Sequence, residues 1–125
     1  MVKAARRKKT VFKKAALVRV QGVHRLSTRY NQKIGKAHSQ RLLELMRHHV
    51  VEIEELAQRR DPHFLVETGD LAVLCLELLL EHRAAPDEIL EQCFGRYERK
   101  LEALLTEIES ERLDPSDRLK RKRRK

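Results

Sequence analysis

From Phe64 to Leu80 the chain is almost continuously aliphatic, and three carboxylates interrupt that run: Glu67, Asp70 and Glu77. Asp61 and Pro62 just before it read as the cap and first position of a helix that extends to about Arg83. A helix that is apolar on most of its circumference belongs inside a bundle or at a subunit interface. A carboxylate on such a helix gives up hydration that a partner has to replace. This segment therefore needs both helical neighbours and counter-charges.

The neighbours are legible on either side. Leu42, Leu45/Met46, His49/Val50, Ile53 and Leu56/Ala57 recur at helical spacing, with Ser39 as the N-cap and Arg59-Arg60-Asp61-Pro62 as the stop. After the break at Ala84-Ala85-Pro86-Asp87, a further helix carries Ile89/Leu90, Cys93/Phe94, Tyr97, Leu101, Leu104/Leu105 and Ile108 toward Leu113. The fold class is all-α, a small helical bundle. The 125 residues support one domain with a modest core, built from Leu, Val and Ile because aromatics are 4% and Trp is absent. Three helices of this size leave the middle one incompletely covered, so association through Phe64–Arg83 into an oligomer is expected.

Charge divides the chain into three parts: a basic N-terminal extension (1–38), a helical domain (39–113) and a basic C-terminal tail (114–125). Residues 1–37 hold 12 Lys/Arg and no acid, residues 38–113 hold 9 Lys/Arg against 17 Asp/Glu, and the tail holds 7 against 2. The net charge of +9 thus hides an acidic module between basic arms. The segment Val11–Val20 suits a short basic helix ending near Gly22, or a strand. The tail is expected to be disordered by self-repulsion. The arms admit non-specific contact with nucleic-acid phosphates, a nuclear address in a eukaryotic source, or a solubilising role. Cys75 and Cys93 have neither zinc spacing nor a disulfide framework and read as buried free thiols. The N-terminus lacks the apolar stretch of a signal peptide, and Leu71–Leu80 is too short to span a bilayer. The expectation is a soluble, cytoplasmic protein without membrane contact.

Two acidic pairs, Glu52/Glu55 and Glu67/Asp70, each have i, i+3 spacing and so share one helix face. With 19 acids in 125 residues such pairs arise by chance, and Glu88/Glu91 and Glu98/Glu102 read as solvated faces of that kind. The two chosen pairs differ in lying within apolar sequence on consecutive helices. Four carboxylates brought together there suit Mg²⁺, which takes oxygen ligands and shares them with substrate phosphates. Beside them, His48 and His49 admit a mixed ligand face or simply a surface and a half-buried imidazole.

Glu-x-x-Glu on one helix, a Pro-containing turn, then Glu67-Thr68-Gly69-Asp70-Leu71 on a Leu/Val-rich helix resembles the MazG-like all-α nucleoside triphosphate pyrophosphohydrolases. The following Ala85-Pro86-Asp87-Glu88-Ile89-Leu90 and Arg96-Tyr97-Glu98-Arg99-Lys100 resemble the helix that usually comes next, and the likeness spans about residues 39–109. It implies a MazG-like bundle, oligomeric as a homodimer or homotetramer. Glu52, Glu55, Glu67 and Asp70 would be the catalytic Mg²⁺ ligands, with Mn²⁺ as an alternative ion. The implied reaction converts a nucleoside triphosphate to the monophosphate and pyrophosphate. Arg96, Arg99 and Lys100 are candidate substrate-binding cations, since guanidinium grips phosphate in a fork, or else a solvated face. The chain departs from the family where Val51 replaces the first of two adjacent Glu, where Glu77 stands for an Asn, and where Phe94-Gly95-Arg96-Tyr97 replaces Asn-x-Lys-Phe. These changes leave the substrate open. They also keep a second reading in play, a catalytically reduced helical module that binds nucleic acid or a protein partner through its arms.

Overall fold

A computed structural model describes residues 13–113. Among these residues there are four helices and no strand: α1 Lys14–Lys33, α2 His38–Gln58, α3 Phe64–Glu81 and α4 Pro86–Leu113. The chain divides into two compact units, Met1–Ile89 and Leu90–Lys125. No described helix is long and apolar enough to cross a membrane. Val11 and Phe12, and the tail from Asp114, lie outside the described residues.

The segment left open between helix and strand is helix, and it does not stop near Gly22. α1 runs for twenty residues through Gly22, because the stop signal lies at Gly35, with φ +70°. Lys36 N–H reaches back to Asn31 O at 2.9 Å and Gly35 N–H to Gln32 O at 3.2 Å. These bonds satisfy carbonyls that a helix end leaves bare, and glycine takes the left-handed turn without side-chain strain.

α2 begins at His38 with Ala37 as N-cap, so Ser39 lies inside the first turn and does not cap it. His38 is held instead from outside the helix, by Asn31 of α1 and Glu81 of α3. That tertiary anchoring sets the start where a hydroxyl cap was expected. At the far end Arg60 takes φ +58° and Asp61 N–H closes on Leu56 O at 2.9 Å. Asp61 does cap, but it caps a turn: its Oδ1 accepts from His63 N–H at 2.9 Å, and α3 starts at Phe64. α3 ends in the same way as α2, with Arg83 at φ +58° and Ala84 N–H on Leu79 O. Pro86 is the first residue of α4, the place where its missing N–H costs nothing.

In the first unit α2 and α3 form an antiparallel pair with the broadest contact, and α1 packs on α3 and more lightly on α2. The apolar interior is thin: Leu42 is wholly buried and Leu74 is 8% exposed. Two polar residues are buried as deeply, Asn31 and Glu77, each 3% exposed. Cys75 is exposed and Cys93 half-buried, which corrects the expectation of two buried thiols. Cys75 falls on the solvent-facing side of α3, away from Leu74 and Glu77, a phase that near-uniform apolarity could not reveal.

Candidate metal centre

The turn at Arg59–His63 folds α3 back along α2 and brings His49, Glu52 and Glu67 together. One ligand atom from each lies within 4.8 Å of the others. His49 and Glu52 are three residues apart on α2 and so share a face, and Glu67 approaches that face from the first turn of α3. His49 Nδ1 is hydrogen-bonded to Glu67 Oε2, and His63 Nε2 stands 3.6 Å from Glu67 Oε1. Glu67 is half-buried with 14% of its side chain exposed, while Glu52 is exposed. The arrangement opens to solvent through Glu52 and is backed by the two imidazoles.

Of the four carboxylates expected to converge, Glu52 and Glu67 meet. Glu55 and Asp70 are exposed, one turn further along α2 and α3 respectively, and among the described residues they join no three-ligand cluster. His48 is exposed and His49 is the half-buried histidine. Arg96, Arg99 and Lys100 are exposed on α4, in the second unit, where the Arg96 guanidinium lies 5.5 Å from the centroid of the Tyr97 ring.

A second cluster was not anticipated. His24 of α1, His38 of α2 and Glu81 of α3 also bring ligand atoms within 4.8 Å of one another. Glu77, one turn before Glu81, places Oε1 3.8 Å from His24 Nδ1, and His38 Nε2 lies 3.2 Å from Glu81 Oε2. The rings of His24 and His38 meet edge to face at 5.1 Å. His38 Nδ1 is 2.7 Å from the Asn31 side-chain amide. Burial pushes the Glu77 carboxyl up, while the Ser27 hydroxyl and the nearby His24 and His38 pull it partly back. His24 Nδ1, His38 Nε2, Glu77 Oε1 and Glu81 Oε2 are all buried and none makes a hydrogen bond. One signal for this cluster was available in the sequence: Glu77 and Glu81 are four apart on the most apolar helix, on one face. The two histidines carried no such signal, since only the three-helix packing brings them together.

No family model, curated protein or solved structure matches this chain.

Proposed function

We propose that the α2/α3 hairpin is the metal-binding centre of a MazG-like nucleoside triphosphate pyrophosphohydrolase. One observation carries the reading: Glu52 and Glu67, fifteen residues apart, meet across the turn, with Glu55 and Asp70 following on the same two helices. The donor set fits a hard divalent ion. Two carboxylates supply oxygen, and the imidazole of His49 is engaged with Glu67, an orienting role that metal-binding carboxylates commonly receive from a neighbour. Glu67 and Glu52 would hold the ion, and Glu55 and Asp70, exposed one turn further along α2 and α3, are the further ligands that the family resemblance implies; Mg²⁺ is the first choice, and Mn²⁺ tolerates a nearby imidazole better. A bound ion of this kind supplies phosphate neutralisation and a water of lowered pKa.

The chain's own groups do the rest. His49 fixes the Glu67 carboxylate, so its second oxygen is pre-aimed. Glu52, the open carboxylate, takes the proton of the attacking water. The water oxygen bonds to the α-phosphorus while the bond to the bridging oxygen breaks, and pyrophosphate leaves with that electron pair.

The same reading includes a homo-oligomer, dimer or tetramer. On α4, Phe94, Tyr97, Leu101, Leu104 and Ile108 recur at alternating spacings of three and four and are 45–56% exposed. That is the seam spacing of paired helices. It favours α4, more than α3, as the surface for a second copy.

The second reading, a phosphate-binding module, draws on α1, where Arg19, Arg25 and Arg29 line a shallow groove together with Gly22, Val23 and Leu26. The two readings separate in a pyrophosphate-release assay on the full chain across ordinary and modified nucleoside triphosphates, with Mg²⁺ and with EDTA. The pyrophosphohydrolase reading expects Mg²⁺-dependent release of pyrophosphate and monophosphate in equal amounts. No release from any nucleotide, alongside salt-sensitive binding of nucleic acid, would favour the module.

A further inference from the structure

We propose that His24, His38 and Glu81, completed by the buried Glu77 beside His24, form a second metal site, selective for a borderline divalent ion of the zinc class, which fastens α1 to the α2/α3 hairpin. The site is independent of the hydrolytic reading above.

The argument begins with what the bundle buries. Glu77 is 3% exposed, its Oε1 makes no hydrogen bond, and that oxygen points at His24. The Ser27 hydroxyl serves the Glu77 carboxylate, but a buried carboxylate oxygen left without a partner is costly, and here three other polar atoms share that condition at the same spot. His38 Nε2 and Glu81 Oε2 approach to 3.2 Å without hydrogen-bond geometry, and His24 Nδ1 stops 3.8 Å from Glu77 Oε1.

The spacing suits a cation in the middle. Zinc bonds to imidazole nitrogen and carboxylate oxygen at about 2.0–2.2 Å, which puts tetrahedral ligands about 3.3–3.5 Å apart. The cross-helix separations of 3.2 and 3.8 Å bracket that value. Two carboxylates cancel a charge of two, so the interior becomes neutral once the ion is bound. Two imidazoles among four ligands favour zinc over Mg²⁺, which prefers oxygen throughout.

The surroundings supply the neighbour such a ligand needs. Asn31, also 3% exposed, faces His38 Nδ1 at 2.7 Å. A half-turn of its amide presents oxygen in place of nitrogen. Nδ1 then donates to Asn31, and Nε2 keeps its lone pair for the ion. The physical benefit is local. With only Leu42 and Leu74 buried, the three helices have a small apolar core, and metal binding to a folded site adds directly to folding free energy.

The test is a Zn²⁺ titration by calorimetry into EDTA-stripped full-length protein, with Mg²⁺ in large excess to occupy oxygen-only sites. One equivalent of Zn²⁺ should bind, and the Glu52→Gln/Glu67→Gln double variant should bind it equally. His38→Ala should lose the site, Glu77→Gln should weaken it at least tenfold, and Asn31→Ala should weaken it by about 10–100-fold as a supporting neighbour. X-ray absorption on the wild-type protein at one equivalent should show two imidazoles and no sulfur. That readout stands even if His38→Ala does not fold. Absence of Zn²⁺ binding in the wild type, binding unchanged in Glu77→Gln, loss in the Glu52/Glu67 double variant, or sulfur scattering from Cys75 or Cys93 would each overturn the proposal.

Discussion

The two His/Glu clusters of the first unit use the same side-chain chemistry in opposite settings. His49, Glu52 and Glu67 sit on the outside of the α2/α3 pair, with Glu52 in solvent and the bonds of Glu67 already made. His24, His38, Glu77 and Glu81 lie between three helices, Glu77 buried and the other three half-buried, with four buried atoms lacking hydrogen bonds. An open cluster with one free carboxylate can exchange water and admit a phosphate. A closed one can hold an ion but cannot present it to a substrate. On the two proposals made above, burial, more than ligand identity, is what would separate a reaction centre from a fastening.

That contrast is easiest to break at the open cluster. Glu67→Gln should reduce pyrophosphate release by about 10²–10³-fold, since metal-assisted charge stabilisation is worth several kcal/mol, and should leave the thermal midpoint unchanged. A matched loss of stability would mean that the open cluster is structural too. His49→Ala, which removes the orienting neighbour, should cost about 10–100-fold in activity or Mg²⁺ affinity. Activity assays beside thermal melts of each variant decide both.

The closed cluster should answer to pH and chelation instead. Because burial raises the Glu77 carboxyl, the folded chain keeps a proton there that the unfolded chain has released. In EDTA-stripped protein this contribution to stability is therefore full below the ordinary glutamate range and is lost as pH rises through the raised value. Stripped Glu77→Gln should lack that dependence and melt higher than stripped wild type at neutral pH. Adding Zn²⁺ should reverse the order. Denaturant melts from pH 4 to 8, with and without Zn²⁺, measure both effects.

Much of this frame could be read from residues alone. Helical periodicity located α2, α3 and α4, and the i, i+3 pairing of acids singled out Glu52, Glu55, Glu67 and Asp70, of which Glu52 and Glu67 meet. Boundaries were less legible where tertiary contacts compete with local signals: His38 is anchored by other helices, so Ser39 does not cap. α1 was obscured because its sequence is basic and weakly apolar and no side-chain cap marks its start, and only packing on α3 shows its inner face. The closed cluster depends on His24 and His38, which carry no spacing that relates them. Glu77 was visible only as an oddity in an apolar helix, and its burial explains why it stands out.

The smallest expected effect concerns the turns that frame both clusters. Arg60 and Arg83 hold φ +58°, where a side chain costs roughly 1–2 kcal/mol and glycine nearly nothing. Arg60→Gly and Arg83→Gly should each stabilise the protein by up to about 1 kcal/mol in urea melts, without altering Mg²⁺ or Zn²⁺ affinity. A change in either affinity would show that the turns tune the sites as well as closing the helices.

The division of roles between the clusters is tested most directly by titrating Mg²⁺ into Zn²⁺-loaded wild type, Glu67→Gln and His38→Ala by calorimetry. The account predicts that Mg²⁺ binding is lost in Glu67→Gln and kept in any folded His38→Ala. Mg²⁺ binding that survives Glu67→Gln, or disappears from folded His38→Ala, would contradict it.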